Sequence, residues 1–126
     1  MGHILIADDH VFLLKAISIL LSKEGYTFET AINGQEAIDL FDKGGFDAVI
    51  TDIDMPVKNG MEVISHIRNV SANPSTPIIV LSSLYKDEDK SIAEIELAGA
   101  STYISKMDSP LGIVGALQSL VQVKAS

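Results

Sequence analysis

The sequence predicts a doubly wound α/β fold, with a five-stranded parallel sheet between two layers of helices. Three observations carry this expectation. Short runs rich in Ile and Val alternate along the chain with longer segments of helical period. Three of those runs, HILIA (3–7), DAVIT (47–51) and PIIVL (77–81), are almost wholly apolar, as strands covered on both faces must be. The chain of 126 residues has the size of one domain and can bury roughly two-thirds of its unfolded surface, enough for a core without staples.

The elements follow in order. The first strand, His3–Ala7, runs into Asp8 and Asp9. The first helix, Val11–Lys23, is strongly apolar and stops before Gly25, a residue suited to a left-handed C-terminal cap. The second strand is Thr27–Ile32, and the second helix, Gln35–Lys43, carries Ala37, Ile38 and Phe41 on one stripe and stops at Gly44. The third strand is Asp47–Thr51, and the third helix, Gly60–Asn69, carries Val63, Ile64 and Ile67. The fourth strand is Pro77–Leu81, and the fourth helix, Asp87–Leu97, ends before Gly99. The fifth strand is Ser101–Ile104. The last helix, Ser109–Val123, has Ser109 as N-cap, Pro110 in its first turn, and Leu111, Val114, Leu117, Leu120 and Val121 at helical spacing. Right-handed crossovers leave few topologies, and 2-1-3-4-5 is a common doubly wound order.

Composition narrows the function. With 9 Lys and Arg against 17 Asp and Glu, the net charge of −8 opposes direct nucleic-acid binding, because phosphate backbones repel it. The sequence contains no cysteine, which excludes disulfides and thiolate metal sites and suits a reducing compartment. The stretch MGHILIADD lacks the basic start and long apolar region of a signal peptide, and the apolar run 11–21 is too short to span a bilayer. A cytoplasmic location and no membrane partner are expected.

The polar residues that interrupt the pattern fall at strand ends. Asp8 and Asp9 follow the first strand, Asp52 the third with Asp54 two residues on, Ser82 the fourth and Lys106 the fifth. In the order 2-1-3-4-5 these ends share one rim of the sheet, where α/β sites are built. Carboxylates packed together repel one another, and a divalent cation removes the conflict. Mg²⁺ takes oxygen ligands, often one or two carboxylates with waters; Asp9 and Asp52 suit direct ligation, and Asp8 suits holding a metal-bound water. A carboxylate beside such an ion can act as a nucleophile towards a phosphoryl group, with Lys106 supplying a cation and Ser82 a hydroxyl donor.

These residues resemble the receiver domain of two-component response regulators, the CheY-like family with a flavodoxin-like (βα)5 sandwich. The resemblance covers essentially the whole chain, 1–126, as a single domain. It rests on the pair Asp8-Asp9, the stretch DIDMPVKNG (52–60), Leu81-Ser82, and GASTYISK (99–106). It implies that Asp52 is the phosphoacceptor, and that Asp8 and Asp9 form the metal pair for Mg²⁺ or Mn²⁺, with the backbone carbonyl of Asp54 as a further ligand. Ser82 is then the switch hydroxyl, Tyr103 the switch aromatic, and Lys106 the lysine that bridges to the phosphoryl group. The implied partners are a sensor histidine kinase or histidine phosphotransfer protein and an output partner that the residues do not name. The face of the fourth helix, fifth strand and fifth helix is the implied output surface and a route to a homodimer. Such a switch is not an enzyme; it catalyses only its own phosphorylation and dephosphorylation. Two positions depart from the pattern. Met107 stands where the family often has proline, and Leu84 and Asp54 occupy positions that tune dephosphorylation.

Other readings stand beside this one. Asp52 and Asp54 resemble the nucleophile and acid of a haloacid-dehalogenase-type phosphatase, although an acidic pair precedes them and 126 residues leave no room for a cap. A flavodoxin-like electron carrier would need a phosphate loop where Asp8 and Asp9 stand. A phosphorylation-independent docking scaffold is the third alternative. His3, His10 and His66 lack metal spacing and read as structural, with contact to the site mouth as the alternative for His10. Leu84, Tyr85, Ile92, Ile95 and Tyr103 read mostly as core, and Pro56 and Gly60 as loop and packing residues.

Overall fold

Side chains alternate across a strand, so a strand apolar at every position needs cover on both faces. The computed structural model describes residues 2–82, 88–106 and 111–125, without the side chains of 82, 88–92, 111 and 121–125. Among these residues the elements are β1 (His3–Ala7), α1 (Val11–Lys23), β2 (Thr27–Ala31), α2 (Gly34–Asp42), β3 (Ala48–Asp52), α3 (Gly60–Asn69), β4 (Ile78–Ser82), α4 (Glu88–Ala98), β5 (Thr102–Ser105) and α5 (Leu111–Ala125). All strand pairs are parallel, in the expected order β2-β1-β3-β4-β5.

The alternation divides the core in two. Leu5, Ala7, Val49, Ile78 and Val80 face one way and pack on Ala37, Ile38 and Phe41 of α2, Val63, Ile64 and Ile67 of α3, and Ile95 of α4. Ile4, Ile6, Ala48, Ile50, Ile79 and Leu81 face the other way and pack on Leu14, Ile17 and Leu21 of α1 and on Ile113 and Leu117 of α5. Edge strand β2 is mostly exposed, and Glu29 places a charge on it that discourages further pairing. No helix among the described residues is long and apolar enough to cross a membrane.

Most boundaries differ from expectation by a residue, and those of α5 by two; at α2, β4 and β5 the reason is local. Asn33 caps α2 by accepting from Glu36 N (2.8 Å), and Glu36 Oε1 accepts from Ile32 N (3.0 Å). These bonds draw the helix start back to Gly34 and take Ile32 out of β2. Strand β4 starts at Ile78, after a proline that has no N–H to donate. The Ser101 hydroxyl accepts from Ile78 N (3.0 Å), and β5 starts one residue later, at Thr102. The expected cap Ser109 and first-turn Pro110 lie outside the described residues, as do Leu84, Tyr85 and the Lys106–Met107 junction; the Ile92 side chain is likewise not described.

The most consequential difference concerns Asp52. It closes β3, paired with Leu81, rather than following the strand. Because Ala7 pairs with Thr51, the next residues on each strand, Asp8 and Asp52, leave the sheet side by side. Ser82 pairs with Ser105, so Lys106 emerges at the same rim. Behind this rim α3 comes close to β3: a Cβ on Gly60 would lie 2.1 Å from the Asp52 carbonyl oxygen. Gly60→Ala is therefore expected to destabilise the domain by about 1–3 kcal/mol, seen as a lower urea midpoint at unchanged m-value. An unshifted midpoint would refute the tight approach.

Candidate functional site

The rim is built by strand ends, which hold their residues in a fixed register. Asp8 N donates to Ala31 O (3.0 Å), extending the ladder one step past β1. Oδ1 of Asp8 accepts from the backbone N of His10 (2.8 Å), which turns the chain towards α1. Oδ1 of Asp52 accepts from Ile53 N (2.8 Å), and the Thr51 hydroxyl donates to the Asp52 carbonyl (2.9 Å). Asp8 is 0% exposed and Asp52 3%, whereas Asp9 is exposed.

Lys106 joins the two buried acids. Its Nζ lies 3.2 Å from Asp8 Oδ2 and 3.1 Å from Asp52 Oδ2. Among the described residues those two buried Oδ2 atoms have no partner besides the ammonium, which meets them at ion-pair distance. Burial pushes the Asp52 carboxyl above its usual range, and neighbouring Asp8 pushes it further; Lys106 and the Ile53 N–H pull the other way without cancelling the rise. Among the described residues, three carboxylates stand against this one ammonium and leave the rim short of positive charge. One ligand atom from each of Asp8, Asp9, His10 and Asp52 lies within 4.8 Å of the others. Oxygen donors at this spacing, two of the three acids being buried, fit a hard divalent cation.

The structure thus brings together Asp8, Asp9, Asp52 and Lys106. Ser82 ends the neighbouring strand, and its side chain lies outside the described residues. Asp54 sits two residues past Asp52 with its side chain exposed. Tyr103 is half-buried and packs on the core beneath α2, α3 and α4. Ile95 is buried there too, as the sequence suggests.

His10 departs from the structural reading. Its Nδ1 lies 3.0 Å from Asp8 Oδ1, 3.5 Å from Asp9 Oδ1 and 3.1 Å from Lys106 Nζ. Its place directly after the acidic pair was the available signal. The other two histidines are tied up elsewhere: His3 meets Thr27 and Glu29 and stacks on Phe46, and His66 meets Asp42 (2.8 Å). Sequence reasoning also missed the mouth. Phe12 is 91% exposed, and an open groove of about 650 Å³ is lined by Asp9, His10, Val11, Phe12, Leu13 and Lys106.

Fold and rim define a class: a doubly wound α/β domain with an acidic, cation-demanding edge at the carboxyl ends of its strands. Residues 4–118 match the response regulator receiver domain, and the chain belongs to that family of two-component systems. It is 36% identical over 120 residues to a probable transcriptional regulator, ycf27, of Cyanidium caldarium, covering 95% of this chain and 46% of that protein. The receiver domain of the Francisella response regulator 1452 superposes with a TM-score of 0.89 at 25% identity, covering 98% of this chain and 99% of that one. The chemotaxis response regulator CheY4 of Vibrio cholerae does so at 0.86 with 32% identity, covering 95% and 98%. The chain spans about half the length of the curated relatives it matches.

A carboxyl whose folded pKa lies above its unfolded value of about 3.9 contributes its full stability below that pH, and loses it as pH rises through the folded value. In the presence of chelator, Asp52→Asn is accordingly expected to be more stable than the parent at pH 7, by about 1–3 kcal/mol. The gap should close towards pH 4. Urea titrations across this range check both points, and a variant less stable at pH 7 would contradict the unfavourable burial of Asp52.

Proposed function

We propose that this domain is a phosphorylation-controlled binding switch in which Asp52 accepts the phosphoryl group. The observation that carries the reading is the convergence of Asp8 Oδ2, Asp52 Oδ2 and Lys106 Nζ at the sheet rim, with both acid oxygens buried. The donor is a phosphohistidine of a sensor histidine kinase or phosphotransfer protein. The Asp52 carboxylate attacks phosphorus, an O–P bond forms, the P–N bond breaks, and the departing imidazole takes up a proton. A divalent ion such as Mg²⁺, held by Asp8, Asp9, Asp52 and the Asp54 carbonyl, supplies positive charge for the phosphoryl oxygens when bound.

The chain's own groups do the rest. Lys106 shifts from pairing carboxylates to pairing a phosphoryl oxygen, a local charge change able to bias a two-state element. The Ser82 hydroxyl takes another phosphoryl oxygen. Tyr103, half-buried on β5, repacks and alters the α4–β5–α5 face. Leu97 on α4, 88% exposed, is an apolar contact available to an output partner or a second copy. Phe12 and Val11 at the mouth suit docking of the donor protein. The domain acts on itself and turns over no external substrate.

Intact mass after treatment with Mg²⁺ and a small acyl phosphate tests the acceptor. One added phosphoryl group is expected, absent from Asp52→Asn and absent in chelator. No addition by the acyl phosphate or by a phosphohistidine donor would overturn the acceptor role and leave docking without chemistry. Lys106→Met is expected to take the label yet lose at least about half of the phosphorylation-induced amide shifts in residues 88–106. Undiminished shifts would refute coupling through Lys106.

A further inference from the structure

Among the described residues, His10 is a site neighbour whose position the switch chemistry leaves unused. Its side chain is 66% exposed, yet Nδ1 turns inward to Asp8, Asp9 and Lys106. Capping does not explain this orientation. His10 occupies the N-cap position of α1 without a side-chain cap bond, and Asp8 Oδ1 already receives the His10 backbone N–H.

The geometry resembles part of a coordination shell. Around an octahedral ion with bonds of about 2.1 Å, adjacent donors stand about 3 Å apart and opposite donors about 4.2 Å. The ligand atoms of Asp8, Asp9, His10 and Asp52 fall within 4.8 Å of one another. Three of these residues already surround a cationic centre: Lys106 Nζ lies 3.1–3.2 Å from Asp8 Oδ2, Asp52 Oδ2 and His10 Nδ1. Both of these Oδ2 atoms are buried and, among the described residues, have no partner besides that ammonium.

We propose that His10 Nδ1 is a nitrogen ligand of this site, so that the rim takes a first-row transition ion, Mn²⁺ or a later one, in preference to Mg²⁺. This rests on the metal-binding reading above. Carboxylates and waters serve Mg²⁺ well, whereas imidazole adds little for Mg²⁺ and favours transition ions in the order of rising affinity from Mn²⁺ to Cu²⁺. With the proton on Nε2, the ring would offer its Nδ1 lone pair to the ion in place of the contact that Nδ1 makes with Asp8 Oδ1 at 3.0 Å. Asp9, exposed and 3.5 Å from Nδ1, is free to adjust as the shell closes.

The test uses the intact chain at pH 8 with Mn²⁺ and Mg²⁺ as probes. Pulsed electron paramagnetic resonance of bound Mn²⁺ is expected to show imidazole ¹⁴N modulation, lost in His10→Ala. In titrations the same variant should weaken Mn²⁺ about tenfold and Mg²⁺ less than about twofold. Circular dichroism should be unchanged, since no side-chain cap is removed. Mn²⁺ bound with oxygen ligands only, nitrogen modulation that survives His10→Ala, or equal loss for both ions would each overturn the inference while leaving the carboxylate metal site intact. Failure of the parent chain to bind either ion would overturn the metal reading itself.

Discussion

Two carboxylates, Asp8 and Asp52, are buried side by side at the end of the sheet and converge on the ammonium of Lys106. Like charges buried together destabilise a fold unless cations stand close. Here the ammonium reaches one oxygen of each acid, at 3.2 and 3.1 Å, and Asp9 adds a further negative charge at the surface. Burial and Asp8 still hold the Asp52 carboxyl above its usual range. In the proposed function this tension is useful: it makes the rim attract a divalent ion and leaves Lys106 ready to exchange a carboxylate for a phosphoryl oxygen.

The scaffold makes such a rim tolerable. Alternate residues of β1, β3 and β4 feed two separate apolar layers, so the strands beneath the acids are clamped on both sides. The register then places Asp8 beside Asp52 and sends Lys106 to meet them. Gly60 lets α3 lie against the Asp52 carbonyl, where a methyl group would not fit. Tyr103, three residues before Lys106, packs on the layer that contains Ile95 of α4, so rim and outer face share one packed unit.

Legibility varied with the range of the interaction responsible. The acids and the lysine were readable because each interrupts or follows an apolar run, and chain order together with right-handed crossovers brings those ends together. Helix α1 was readable as an element but not in its orientation. It is apolar nearly all round, so period alone did not distinguish buried Leu14, Ile17 and Leu21 from exposed Val11, Phe12 and Ile19. His10 was visible as a neighbour of the acids, but sequence adjacency says nothing of where a ring nitrogen points.

By itself, then, the sequence determined the parallel α/β sandwich, its element boundaries to within a residue or two and the acidic rim. Apolar runs of strand length, caps such as Asn33 and turn glycines act within a few residues of themselves. Tertiary structure alone decided that Asp52 closes its strand, that two buried Oδ2 atoms meet one ammonium, and that Lys106 reaches His10 across 96 residues of chain. Those outcomes depend on register and helix packing summed over the whole core, which no local window of sequence contains.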